Sequence, residues 1–355
     1  MWAAEDHDAG AASTPVDTRQ GWAWRDVIAL HRQRHSTPRG PRRRCAILLG
    51  GPTDPALVRA AQRLTGEPVP TPFCRLGPGA PTLLELALRR VAAHVDAAAT
   101  HVVMDGRQRR WAEPHAGRIP GRVRWSQFDN GSAVSVIAAL VPALVRDPEA
   151  TVVVMPVNQS VAVEGSFAIT LDRAFRAAAV SRDLVSLGAE PSDAIGEHDW
   201  LVPFAPPWLS GAGTIPSTRL VVSPPPETVA QLRHAGALVH TGVVVGQGRA
   251  FLELFEDLTP RLLRLFLYGA AMPAPRAETF LAQAQEGLGE LDLSRDLLGL
   301  APVLRAAVVP AGAGWIDLRS PTRMAAWLAR ERNARLLNAA PATTYRRRQV
   351  PGVPI

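Results

Sequence analysis

Asp147-Pro-Glu-Ala-Thr-Val-Val-Val-Met-Pro-Val-Asn-Gln159 decides how this chain folds. Residues 151–155 form a short run, dominated by β-branched valine and closed by Pro156, which is the composition of a strand buried on both faces. Upstream, residues 134–145 are apolar at near-helical spacing, and Asp147-Pro148 ends them, because proline cannot continue a helix and disfavours helical backbone in the residue before it. Helix, tight stop and buried strand together make a piece of a βα-built sheet. The next residues, Val157-Asn158-Gln159, fall at the carboxyl end of that strand, where open α/β sheets bind their ligands. A metal-assisted phosphate enzyme needs a carboxylate there, and the chain has an amide.

The same pattern extends outward in both directions. Residues 45–49 read as a buried strand closed by Gly50-Gly51, followed by a helix over 54–64 with Pro55 at a permitted early position. Helices are expected over 82–95, 226–235, 249–266 and 321–333, strands over 101–104, 123–125, 184–187, 220–222 and 306–309, and an extended segment broken by Gly242 over 238–245. A Pro/Gly-rich stretch over 203–216 reads as a connector. The expected organisation is one α/β domain over 43–330. An Arg-rich lead-in over 1–42, expected to be partly disordered with a helical piece at 22–34, precedes it, and an Arg-containing tail over 331–355 follows.

Composition narrows the chemistry. The chain has 355 residues, 47% of them hydrophobic, enough for a large core. It contains no lysine, so all 39 basic residues are arginine; Schiff-base chemistry and a P-loop lysine are excluded. The formal charge of +7 concentrates at Arg39, Arg42, Arg43 and Arg44 and at Arg346, Arg347 and Arg348. Such clusters attract nucleic acid or anionic lipid, yet no zinc finger or aromatic platform accompanies them, so nucleic acid is not the expected partner. No apolar run approaches the roughly 20 residues that span a bilayer. The opening Met1-Trp-Ala-Ala-Glu-Asp6 lacks a basic stretch followed by an apolar one, and a cytoplasmic location is expected. Cys45 and Cys74 form no Cys-x-x-Cys pair and read as small buried residues, while His31 and His35 have no third metal ligand nearby.

Several segments match a known family in order and spacing. Thr71-Pro-Phe-Cys-Arg-Leu76 followed by Thr82-Leu-Leu-Glu85, the strap Gln127-Phe-Asp-Asn130, Arg146-Asp-Pro148 through Pro156 to Phe167, Asp292-Leu-Ser-Arg-Asp296, and Gly314-Trp-Ile-Asp317 with Pro321 carry the match. Over residues 43–330 the chain resembles the sugar-1-phosphate nucleotidyltransferases, in particular the mannose-1-phosphate guanylyltransferase branch. The resemblance implies a Rossmann-like, GT-A-type α/β fold with a mixed, mainly parallel sheet and flanking helices. It implies a reaction in which a sugar 1-phosphate attacks the α-phosphorus of a nucleoside triphosphate such as GTP and releases pyrophosphate, catalysed by aligning and neutralising phosphates, commonly with Mg2+. Carried over by position, Gly50, Gly51, Gln127 and Asn130 face the nucleotide, His240, Thr241 and Gly242 face the sugar, and Asp317 with Asn158 holds the metal.

The departures fall on chemistry and spare the scaffold. The family's Gly-Gly-x-Gly-x-Arg phosphate turn reads Gly50-Gly-Pro-Thr-Asp-Pro55 here, so Thr53 replaces a glycine and Pro55 the clamping arginine, and two prolines delete two N–H donors. Thr71 stands for a lysine, Asn158 for a metal-binding aspartate and His240 for an asparagine. The sugar loop falls on 195–199 before Trp200, and Val222-Ser-Pro224 replaces Glu-Lys-Pro. Pro55, Thr71 and Asn158 are thus degenerate catalytic positions, each loss worth about 2–4 kcal/mol of barrier. The expectation is a catalytically impaired homologue that binds a nucleotide, a sugar phosphate, a protein partner or its own copy. Two alternatives stand beside it: a divergent active transferase using Asp317 and Asp54 on the metal with Arg59 or Arg75 on phosphate, and an interaction protein acting through its Arg-rich ends.

Overall fold

The computed structural model describes residues 43–77, 79–119, 122–191, 198–204 and 214–339, with side chains in the last helix described to Arg330. The lead-in, the tail beyond Ala339, the helical piece at 22–34, both terminal arginine clusters apart from Arg43 and Arg44, most of the 203–216 connector and residues 195–197 of the sugar loop lie outside them.

Strand β1 (Arg44–Leu49) runs into the glycine turn and helix α1 (Pro55–Thr65). Helix α2 (Leu83–Ala92) follows, opened by a reciprocal cap in which the Thr82 side chain accepts from the Glu85 N–H and Glu85 accepts from the Thr82 N–H. Next come β2 (Thr100–Asp105), β3 (Arg122–Ser126), α3 (Gly131–Arg146), β4 (Thr151–Pro156) and the two-residue β5 (Gln159–Ser160). The second half holds α4 (Glu164–Val180), β6 (Val185–Ala189), β7 (Trp200–Pro203), β8 (Thr214–Val221), α5 (Val229–His234) and β9 (Leu238–Gln247). It closes with α6 (Gly248–Leu258), α7 (Pro260–Ala271), α8 (Ala274–Glu286), β10 (Leu304–Val309), β11 (Ile316–Asp317) and α9 (Pro321–Ala339).

Nine strands form one sheet in the order β3-β2-β1-β4-β9-β6-β10-β8-β7. β9 runs against β4, β6 and β7, and β8 runs against β7 and β10, so the nine less these two point the same way. The sheet is therefore mixed and mainly parallel in strand direction, as expected. A separate antiparallel pair, β5 with β11, sets Asp317 opposite Gln159.

The core divides by strand alternation, because successive side chains leave a strand on opposite faces. Cys45, Ile47, Val152 and Val154 meet α3, α6 and α7 on one face; Ala46, Leu48, Val153 and Met155 meet α2 and α4 on the other. A smaller cluster of Ala61, Cys74, Leu83, Leu318, Met324 and Trp327 glues α9 to α1. Burial pushes the Cys45 and Cys74 thiols up to about 12 and about 11, so both behave as inert apolar groups.

Some expected elements are corrected. Strand β8 begins at Thr214, inside the stretch expected as a connector and six residues before the strand expected over 220–222. Residues 249–266 are two helices rather than one, α6 and α7, because Pro260 removes an N–H and drives Thr259 off the helical region, to φ −138° and ψ 57°. Gly242 keeps β9 continuous in spite of a φ of +79°; a Cβ there would meet the Pro156 ring at 3.0 Å.

Candidate functional site

The turn after β1 is where the family resemblance puts a phosphate, and two of its N–H donors are already occupied. The Gly50 N–H donates to the Val103 carbonyl at 2.8 Å, and the Thr53 N–H donates to Asp105 Oδ2 at 2.9 Å. Asp54 caps α1 by accepting the Ala56 N–H at 2.7 Å, and Pro55 occupies the first helical position. The Gln108 amide donates to the Gly51 carbonyl at 3.1 Å. A helix N-terminus attracts anions through free N–H groups and its dipole. Here Asp54 and Asp105 supply that negative charge from within the chain. Burial pushes the Asp105 carboxyl up, but the Arg107 guanidinium and the N–H groups of Arg107 and Thr53 more than offset this and hold it below the usual carboxylate range.

The residues that sequence reasoning set at or near the phosphate positions, Thr71, Arg75 and Arg59, do other things. Thr71 is buried in a helical turn spanning Thr71–Phe73, where its carbonyl accepts the Cys74 N–H at 3.1 Å. The Arg75 guanidinium donates to the Ala80 carbonyl of its own loop at 2.5 Å, and Arg59 lies exposed on α1.

In the strap, Gln127 is exposed and Asn130 is buried. The Asn130 amide donates to the carbonyls of Gln285 at 3.0 Å and Leu288 at 2.8 Å, and its own carbonyl accepts the Leu291 N–H at 2.9 Å. Gly131 makes this approach possible: at φ +85°, a Cβ would sit 2.3 Å from the Leu291 carbonyl oxygen. Asn130 thus ties the segment after α8 to the start of α3.

The carboxyl ends of β4 and β6 and the adjoining part of β9 carry the other group of candidate residues. Gln159 joins them: its amide donates to the Thr241 carbonyl, its Oε1 accepts the Trp315 indole N–H at 3.1 Å, and its carbonyl accepts Arg90 Nη1 at 3.1 Å. The Asn158 carbonyl accepts the Leu318 N–H at 2.9 Å, while Asn158 Oδ1 is a buried acceptor with no bond to a described residue. Thr241 Oγ1 donates to the Leu187 carbonyl at 2.8 Å, and His240 Nδ1 lies 2.8 Å from Ser186 Oγ. Burial, reinforced by the Arg319 charge, pushes His240 down to about 3; burial and Arg323 push His198 down to about 4. Both imidazoles are neutral near pH 7. Burial pushes the neighbouring Asp199 up.

Asp317 is the expected metal ligand, and the structure surrounds it with cations of its own. It is 1% exposed. Its Oδ2 accepts Arg319 Nε at 2.7 Å and Arg323 Nη1 at 2.6 Å, and its Oδ1 accepts the Arg319 N–H at 2.8 Å. Burial pushes Asp317 up, yet Arg319 and Arg323 overcome it and hold the group below the usual carboxylate range. Arg323 lies in the first turn of α9, which Ser320 caps by accepting the Arg323 N–H at 3.2 Å. Among the described residues no three His, Cys, Asp or Glu side chains gather as a metal-ligand set. Asp317 and Asn158 offer Mg2+ one carboxylate already bonded to two guanidinium groups and one neutral amide, whereas hard divalent cations take six or more oxygens. The donor set does not fit the ion.

Sequence reasoning missed Arg319, Arg323 and Asp105. The two arginines stand two and six residues after Asp317, and only the turn into α9 folds them back onto it. Asp105 ends β2, and the parallel pairing of β2 with β1 brings it to the turn.

No family model and no curated protein matches the chain. Solved structures do. A mannose-1-phosphate geranyltransferase from Thermus thermophilus is similar with a TM-score of 0.66 and 20% identity, over 78% of this chain and 76% of that one. A mannose-6-phosphate isomerase from Helicobacter pylori is similar with a TM-score of 0.58 and 16% identity, over 77% of this chain and 100% of that one. The chain shares the fold of these two structures, a mixed α/β sheet with flanking helices as expected. At these identities the likeness speaks to architecture, and the chemistry is left to the residues. Among the described residues no helix is long and apolar enough to cross a membrane.

Proposed function

We propose that this chain binds a sugar phosphate on a nucleotidyltransferase framework without activating a nucleoside triphosphate, a catalytically impaired counterpart of the mannose-1-phosphate guanylyltransferase-like branch. The observation that carries this reading is the Thr53 N–H held by Asp105 at 2.9 Å, beside an α1 terminus capped by Asp54. An incoming triphosphate meets two carboxylates where it needs free donors, and no lysine anywhere in the chain restores the balance. Gly50, Gly51 and Gln127 remain the positions at which a nucleotide would lie, while both amide hydrogens of Asn130 are engaged by carbonyls. On the sugar side, His240, Thr241 and Gly242 stand with Asp317 and Asn158 around the seam of β4, β6 and β9.

The test is pyrophosphate release with GTP, ATP, CTP or UTP, hexose 1-phosphates and Mg2+. The expected result is no release above the protein-free rate and no rise in melting temperature with GTP and Mg2+, since a ligand of the native state must raise it. Multiple turnover with any pair overturns the reading and favours a divergent enzyme.

A further inference from the structure

The Asp317 carboxylate meets two guanidinium groups, and only one of them is sealed in the interior: the Arg323 side chain is 7% exposed, the Arg319 side chain 35%. Arg319 is anchored through its Nε and backbone N–H, so the outer edge of its fork carries the two Nη groups, neither of which is bonded to a described residue. Two further acids, Asp199 and Asp292, act on Arg319 electrostatically. Each has partners of its own. Asp199 accepts the Ser223 N–H at 2.9 Å; Asp292 accepts the N–H groups of Ser294 and Arg295, both at 2.9 Å, and the Ser132 hydroxyl at 2.8 Å.

Around this fork lie unpartnered buried polar atoms. Asn158 Oδ1, His198 Nδ1 and His240 Nε2 have no hydrogen bond to a described residue, although leaving a buried polar atom unpaired costs about 1–3 kcal/mol. Asn158 is tied to Leu318, and both histidines feel the Arg319 charge. Neutral amide and imidazole groups are partners for hydroxyls, and a planar guanidinium fork is a partner for a phosphate.

We infer that this seam binds a phosphomonoester of a polyhydroxylated compound with Arg319 standing where a divalent cation would stand, so that binding needs no metal. The inference rests on the sugar-side reading above and adds to it the charge that replaces the ion. A guanidinium on Asp317 presents hydrogen-bond donors to the ligand, as a metal would present open coordination positions. It is covalently fixed, so no chelator removes it.

The experiment is calorimetric titration of the full chain with a panel of hexose 1- and 6-phosphates, each in EDTA and in excess Mg2+, with the free hexoses and inorganic phosphate as controls. The expected result is at least one hexose phosphate whose Kd agrees within about twofold between the two buffers. Arg319→Gln should weaken it about tenfold to a hundredfold, the worth of a charge-assisted hydrogen bond, while binding of the free hexose stays unchanged. Arg319→Lys, which keeps the charge and loses the fork, should fall between. Circular dichroism of both variants establishes that they fold, and loss of fold in Arg319→Gln shifts the comparison to Arg319→Lys. Binding that requires Mg2+, or binding indifferent to both substitutions, overturns the inference alone; no binding by any member of the panel overturns the sugar-phosphate reading along with it. Pyrophosphate release from a triphosphate would instead overturn the impaired-transferase reading, so the two failures are distinct.

Discussion

The turn after β1 and the Asp317 seam are opposites that reach the same end. At the turn, N–H groups suited to an anion are met by Asp54 and Asp105; at the seam, a carboxylate suited to a cation is met by Arg319 and Arg323. In each place a side chain of the protein occupies the electrostatic role of a ligand. The difference lies in depth. Asp317 is fully buried and Arg323 nearly so, whereas Asp105 pairs with an Arg107 side chain that is 63% exposed. A buried pair is rigid and costly to break, while an exposed one is screened and worth little.

That contrast sets the order of expected effects. Asp317→Ala strands a buried guanidinium and should cost about 3–5 kcal/mol, read as a lower urea midpoint; a cost below about 1 kcal/mol would mean that the seam is as soft as the turn. Asn130→Ala, which leaves two carbonyls without their donor, should cost about 1–3 kcal/mol in the same assay while leaving hexose phosphate binding intact.

Acid should separate the seam from the turn next. His198 and His240 are pushed down to about 4 and about 3, as is His101 on β2, to about 4, by burial and then Arg122 and Arg124. Between those values and the unfolded pKa near 6.5 the unfolded chain binds protons that the folded chain refuses, so stability is full above that pKa and is lost as pH falls. Asp199, with its pKa raised, works the other way at the acid end. The melting temperature should therefore drop from pH 7 to pH 5, and His240→Asn with His198→Asn should flatten the profile; an unchanged slope in the double variant would remove the seam from the effect. The smallest effect belongs to the turn. Asp54→Ser with Asp105→Asn keeps a helix cap and removes two charges worth roughly 1 kcal/mol each in water, and GTP should then raise the melting temperature where it did not before. Silence from the double variant would place the barrier to triphosphate elsewhere.

Much of the framework was legible because it is written in local patterns. The valine run of β4, the glycine close of β1 and the Asp147-Pro148 stop each state an element within a few residues. Asn158 and Asp317 were paired by the family resemblance alone, and the pairing of β5 with β11 sets Asp317 opposite Gln159 while the Leu318 N–H donates to the Asn158 carbonyl. The break at Thr259-Pro260 was written in the sequence too, but the strong amphipathic period on either side masks it. What the pattern does not carry is partner choice. That Arg319 and Arg323 turn back to Asp317, or that Asp105 reaches Thr53 from the neighbouring strand, depends on the path of the backbone between them, and an exposed arginine reads the same in sequence as one at an ion pair.

Helix α9 joins the two places. Its first turn supplies Arg323 to Asp317, and Met324 and Trp327 on the same helix pack with Leu318 against Ala61 of α1, the helix that begins at the phosphate turn. One helix therefore seats both the ion pair and the flank of α1, so loosening its packing on Ala61 would also loosen the hold of Arg323 on Asp317.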